Sequence, residues 1–394
     1  MDGVSALLTQ SRGRGGSGGV VNRPAVCLFT DSREPSGVGA VILALARKLR
    51  DRFRLSLICP PTEGGRRLLA AADGLGVATL GADALRDVPD WHRARDWLRA
   101  QDVELLHIHA GIAWEGLTAP NLARAAGVRR TLRHEHLPDL LTAERDRRAY
   151  RDAMREVDAI LCVSQGVRES LERAEVPASK LHVVRNGIDT PAASPDRPRD
   201  STVLCVGRHV YQKGHTTLLR AWPEVATRVP GAALDIVGTG PLEPGLRAMA
   251  RRLGIESSTR FLGQRDDVPG RMARAGCVVL PSRWEGLPLV LLEAIMLGAP
   301  AVATAVCGSA EVIEDGVTGR LVPPDEPAAL AAALVHVLRD PDGARGMGMR
   351  ARALVRSRFT AAHMAAETAA HYERSLGADA PVTPAALSRI MEYA

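Results

Sequence analysis

The sequence predicts an α/β protein built as two doubly wound parallel-sheet domains. Three observations carry that prediction. Short apolar runs of strand length alternate with longer segments whose apolar residues recur every three to four positions, the pattern of strands joined by crossover helices. The alternation is broken at residues 191–201, a stretch loaded with Pro, Ala, Ser and Asp, and then restarts. The chain has 394 residues, long enough for two substantial cores.

Taken in order, residues 1–23 are rich in Gly, Ser and Arg and are expected to be a disordered tail. Gly13–Gly18 spells G-x-G-x-x-G by letter, but it precedes the first strand instead of following one, so it is no nucleotide loop. The first strand is expected at 25–30, followed by a glycine turn and a helix over 36–48. Gly37 and Gly39 there would let backbone approach a ligand at a helix start. Strands at 55–59, 77–80, 105–109, 130–133, 159–163 and 181–185 complete a first domain spanning 24–190.

His107 and His109 share a strand face because side-chain direction repeats every two residues. His109 ends its strand, where open α/β sheets bind ligands. His134 and His136 end another, which raises a four-histidine metal cluster. No acidic or thiol ligand stands with them, and no metal is assigned. Residues 144–158, mixed in charge, are expected to form a solvated helix face.

The second domain, 202–356, restarts with a strand at 202–206. The loop after it carries Arg208 and Lys213, two cations five residues apart that can grip a diphosphate and offset charge on a leaving phosphate. Only three of the 51 basic residues are lysine, so a lysine inside a motif carries weight. A strand at 234–237 ends in a Gly238-Thr239-Gly240 turn, and residues 261–265 are expected to form a loop near a base.

Residues 277–280 then read as a buried strand, 281–288 as a polar turn and 289–297 as a helix stopped by Gly298. That helix start, at Leu289 and Val290, offers free amides to a phosphate. Glu293, five residues beyond Pro288, lies roughly 8 Å along the axis from it, at about 1.5 Å per residue, in reach of ribose hydroxyls. Glu285, in the turn, would face what the phosphate carries. A strand at 301–303 and a loop at 305–311 follow. Asp340-Pro341-Asp342 has Asp-x-Asp spacing, but it reads as a helix boundary. A final helix over 357–376 is expected to cross back to the first domain, leaving a tail at 377–394.

Composition excludes several classes. No apolar run approaches the ~20 residues of a spanning helix, and the amino end lacks a secretory h-region, so a cytoplasmic protein is expected. Six scattered cysteines without a Cys-x-x-Cys pair suit buried thiols. A net charge of +6 suits anionic substrates or peripheral contact with a membrane surface. Aromatics at 3% are too few for base-stacking platforms, so no nucleic acid is expected.

Together these motifs resemble the retaining glycosyltransferases of family GT4. The resemblance rests on the first glycine loop, His109, the Asn186-Gly187-x-Asp189 turn, the Gly207-Arg208…Lys213-Gly214 loop and the glutamates 285 and 293, with seven residues between them. The loop at 305–311 departs from the pattern, with Cys307 where the family usually has the first of two glycines.

The resemblance implies a GT-B fold, two Rossmann-like domains facing across a cleft. It implies transfer of a sugar from a nucleotide-sugar, with uridine the family-level base, to an acceptor hydroxyl, without cofactor or catalytic metal. Arg208, Lys213, Leu289 and Val290 would hold the diphosphate, Glu293 the ribose, Glu285 and His109 the sugar, and Gly39 would lie over the donor phosphate. The acceptor could be a small molecule, a lipid-linked sugar or a polysaccharide. The competing readings are a nucleotide-sugar 2-epimerase of the same architecture, an NAD-dependent oxidoreductase and a non-catalytic sugar-binding scaffold. Against the second stands the absence of a G-x-G-x-x-G following a strand, and against the third the intact acid and cation pairs.

Overall fold

The computed structural model describes residues 23–34, 36–84, 87–190 and 199–377. The expected tails and most of the 191–201 connection lie outside the described residues. Thirteen strands form two all-parallel sheets. The first holds β1 (Ala25–Phe29), β2 (Arg54–Cys59), β3 (Ala78–Gly81), β4 (Leu105–Ala110), β5 (Arg130–Glu135), β6 (Ala159–Cys162) and β7 (Leu181–Val183), in the order β3-β2-β1-β4-β5-β6-β7. The second holds β8 (Thr202–Val206), β9 (Ala233–Val237), β10 (Thr259–Gly263), β11 (Cys277–Leu280), β12 (Ala301–Thr304) and β13 (Arg320–Val322), in the order β10-β9-β8-β11-β12-β13.

In both sheets the chain runs outward from the first strand to one edge and then returns to build the other side. That reversal leaves a crevice at the carboxyl ends of β1 and β4 and another at those of β8 and β11. The two-domain doubly wound architecture expected from the alternation is present. The core strands are as apolar as sheets covered on both faces require: β1 and β11 are buried along their whole length.

The expectation of a loop over 261–265 needs correcting. Phe261 to Gly263 are the end of β10, paired to β9, and only 264 and 265 follow it as loop. The apolar Phe261 and Leu262 extend the strand by one alternation.

Helix Ala361–Leu376 leaves the second domain and packs on helix Ser36–Leu49 of the first, with Tyr372 edge-on to Phe53 at 5.2 Å. An apolar cluster shared by the two domains joins Val163 and Ile188 to Leu287, Leu291 and Leu292. Polar contacts reinforce it. Asn186 donates to the Leu287 carbonyl at 2.9 Å, and Glu311 accepts from Arg185 at 2.8 Å and from the Gly166 amide at 3.2 Å. The domains are thus held closed over the crevices. Five of the six cysteines are buried and all six are unbonded thiols. Asp340 caps helix Pro341–Arg358 by accepting from the Gly343 amide at 3.0 Å, so the Asp-x-Asp spacing is a helix boundary. Among the described residues no helix is long and apolar enough to cross a membrane.

Candidate active site in the interdomain cleft

Loops from six strand ends, following β1, β4, β5, β7, β8 and β11, converge on one cavity of about 1130 Å³ between the domains. On the second-domain side it is lined by Gly207, Arg208, Lys213, Trp284, Glu285, Leu289, Val290 and Glu293. Six residues picked out of the sequence, from two loops more than seventy positions apart, therefore meet at the β8/β11 crevice.

Helix Leu289–Met296 begins after Pro288, which stands at its cap position and not inside its first turn. It ends with Gly298 at φ +70°, as the glycine stop requires. Amides at its first positions have no carbonyl one turn back, so those of Leu289 and Val290 are free for an anion. Glu293 is half-buried and, among the described residues, forms no ion pair; desolvation pushes its carboxyl up to about 6.

Lys213 and Glu285 are coupled. The Lys213 ammonium donates to Glu285 Oε1 at 2.5 Å, and the Ser282 hydroxyl donates to the same oxygen at 2.7 Å. The side chains are 18% and 6% exposed, so the pair is shielded from solvent. Arg208 is exposed and, among the described residues, forms no ion pair. The second-domain side of the cleft thus holds one cation already neutralised and one available.

Two glycines hold this loop against its neighbours. A Cβ on Gly286 would lie 2.0 Å from the His136 carbonyl oxygen, and one on Gly308 2.1 Å from that of Gly286. Only a residue without a side chain lets the Glu285 loop pass between the first domain and the 305–311 loop. Cys307 packs against Gly166 of the first domain, and its loop does not reach the cavity lining.

Two expected residues are displaced. His109 does not reach the cavity. It is fully buried, and its Nδ1 lies 3.2 Å from Nε2 of His136, which lines the cavity instead. One more loop position beyond β5 carries His136 out to the cleft, while β4 still lies within the sheet at His109. Gly39 is buried within helix Ser36–Leu49, and Gly37, Val38 and Ala40 face the cavity in its place. The helix begins at Ser36, so its fourth residue has already turned inward.

His107, His109 and His134 present ring nitrogens within 4.8 Å of one another in the interior. Burial, reinforced by mutual repulsion, holds His107 and His109 well below the ordinary imidazole range, and burial holds His134 at about 3. His107 is bonded to the Tyr372 hydroxyl at 2.6 Å.

The first-domain side contributes Asp31, Ser32, Trp114 and Glu115, which the sequence reading passed over, and Asn186, which it read only as part of a turn. Asp31 is the second residue past β1, so the rule that selected His109 would have found it. Glu115 and Trp114 lie in a turn after β4 with no pattern to mark them.

Profiles of two families match the chain: that described as Glycosyltransferase Family 4 over residues 35–191, and that described as Glycosyl transferases group 1 over residues 200–340. The chain is 33% identical over 267 residues to the GDP-mannose-dependent alpha-(1-6)-phosphatidylinositol monomannoside mannosyltransferase of Mycolicibacterium smegmatis, covering 61% of this chain and 70% of that one. This chain is a GT4 glycosyltransferase. A second relative from the same organism, phosphatidyl-myo-inositol mannosyltransferase, is 30% identical over 80% of this glycosyltransferase and 85% of its own length. Among solved structures, Anabaena HepE in complex with UDP and glucose shares the GT-B fold, with a TM-score of 0.78 at 20% identity over 89% of this chain and all of that one.

Proposed function

We propose that the enzyme transfers a hexosyl group, with retention of configuration and without a catalytic metal, from a nucleoside-diphosphate sugar bound in the cleft to an acceptor hydroxyl. The observation that supports this most is the convergence of Arg208, Lys213, Glu285, Leu289, Val290 and Glu293 on one cavity at the strand-order reversal of the second sheet. A diphosphate there meets the Leu289 and Val290 amides on one side and Arg208 and Lys213 on the other. The bond between the sugar's anomeric carbon and the phosphate oxygen breaks, and the phosphate leaves with the electron pair. The acceptor oxygen bonds to that carbon and its proton passes to the departing phosphate. Preorganised cations and amides lower the barrier because their orientation cost is met in folding.

Glu293 takes the ribose hydroxyls. Glu285, held by Lys213 and Ser282, faces the sugar and steadies the cationic transition state. His109 acts behind His136, fixing that ring at the sugar side. The base is uridine in the first reading. The name of the mycolicibacterial relative favours GDP-mannose as a second donor.

A panel of UDP- and GDP-sugars, scored by thermal shift and by nucleotide release, tests the proposal. The expected result is a raised melting temperature and slow hydrolysis with at least one donor. Lys213→Ala should lower turnover by about 10²–10³. Near-normal turnover in that variant would remove the role given to the lysine.

A further inference from the structure

Net charge differs between the two walls of the cleft. The second-domain wall sets Arg208 and Lys213 against Glu285 and Glu293, whereas the first-domain wall carries Asp31, Glu34 and Glu115 against a single Arg33. Arg33 is turned to Asp83 at 2.8 Å. Asp31 and Glu115 are fixed by backbone amides: one Asp31 oxygen accepts from Gly116 at 2.9 Å, and one Glu115 oxygen accepts from Gly111 at 2.6 Å. The other Asp31 oxygen, Oδ1, is sequestered from water and has no partner among the described residues. Burial raises both carboxyls above the ordinary range despite these amides, and for Glu115 the neighbouring Asp31 charge raises it further. The nearest buried cation, Arg133, is consumed by Glu135 and the carbonyls of Ala113 and Glu115.

A second feature adjoins the acids. Trp114 stands at the mouth, 57% exposed, in a chain with only 13 aromatic residues, and a side lobe of about 320 Å³ continues from it past Leu117 and Leu140. An exposed indole beside polar groups is a platform for the apolar face of a saturated ring or for a cation.

We propose that the acceptor is an amine-bearing sugar or cyclitol, its ammonium group seated between Asp31 and Glu115 and its ring face on Trp114. An unpartnered, desolvated carboxylate gains most from a charged donor and repels an anion. The arrangement therefore selects against phosphate-bearing acceptors such as the phosphatidylinositols in the names of the relatives. This rests on the glycosyl-transfer reading of the cleft, and it deepens that reading by naming the acceptor class.

The test uses the full chain with whichever nucleotide-sugar it hydrolyses. Amine-bearing sugars and cyclitols are compared with their N-acetylated counterparts, with neutral polyols and with sugar and inositol phosphates. The expected result is transfer to amine-bearing acceptors with kcat/KM at least about tenfold above the N-acetylated forms. Asp31→Asn, which keeps the oxygen that accepts from Gly116, should bring the two within about twofold, mainly through KM. Trp114→Ala, at an exposed position, should raise KM for every ring acceptor. Donor hydrolysis without transfer to any amine, equal use of N-acetylated acceptors, or preference for a phosphate would overturn the acceptor proposal while the donor reading stands. Loss of donor hydrolysis itself would remove the donor reading instead.

Discussion

At the scale of single residues, the three lysines show what a sparing use of one residue type can reveal. Lys48 pairs with Asp189 at 3.1 Å, and Lys180 donates to the carbonyls of Met154, Arg155 and Val157, which end a helix. Lys213 is the one in the cleft. A compact ammonium with three donors suits each place better than a planar guanidinium. Replacing Lys213 by Ala leaves Glu285 buried without its cation, so the variant should lose about 3 kcal/mol in addition to turnover. Lys213→Ala/Glu285→Gln should recover most of that stability and none of the activity, as urea unfolding beside turnover would show.

Glu293 carries a pH signature. Its carboxyl sits at about 6 in the folded protein against 4.5 as the ordinary value. The folded state holds the proton more tightly between those values, so stability conferred by the neutral form is present below 4.5 and lost as pH rises through 6, about 2 kcal/mol in all. Ribose hydroxyls bond best to the carboxylate, which reverses the sense for the ligand. Nucleotide affinity should therefore rise between pH 5 and 7, and Glu293→Gln should flatten the rise. Calorimetric titration with UDP and GDP across that range reads both effects.

At the scale of elements, strand ends decided where the sequence reading succeeded. Loops after β8 and β11 were legible because their motifs are contiguous and each follows a strand of unmixed apolar residues. The first-domain side was less so. His109 and His136 both follow the rule of carboxyl ends, and a difference in where β4 and β5 terminate puts only the second in the cleft. Gly286 is the element-scale hinge of the design, because a methyl group there has no room beside His136. Gly286→Ala should shift the Glu285 loop by about 1 Å and cut kcat by about 10² with the circular dichroism spectrum preserved. Helix Ala361–Leu376 supplies a stability test. Tyr372→Phe removes the hydroxyl on His107 and should cost about 1–2 kcal/mol, and Tyr372→Ala about 3–5 kcal/mol, read from chemical unfolding.

At the scale of the whole molecule, a cavity lined from both domains exists only with the domains closed. Glu311 spans the gap, reaching Arg185 and the Gly166 amide from the second domain. Glu311→Ala removes both bonds without touching the cavity lining. It should widen the particle in solution scattering and lower kcat/KM by about tenfold, with the melting temperature little changed. An unaltered scattering profile with unaltered kinetics would mean that the apolar cluster around Leu287 and Leu291 alone holds the domains together.

By itself the sequence determined the strand–helix alternation, the two-domain architecture and the family, and it picked out the residues from Arg208 to Glu293 that line the second-domain side of the cleft. These are local patterns: apolar periodicity, turn chemistry and loop motifs that need no distant partner to be recognised. Tertiary structure alone decided that Lys213 is held by Glu285, that His136 and not His109 reaches the cleft, and that Asp31, Trp114 and Glu115 line that cleft from the other domain. Each depends on groups dozens of residues apart brought within a few ångströms, and on whether burial leaves a charge with a partner. Spacing along the chain carries neither piece of information.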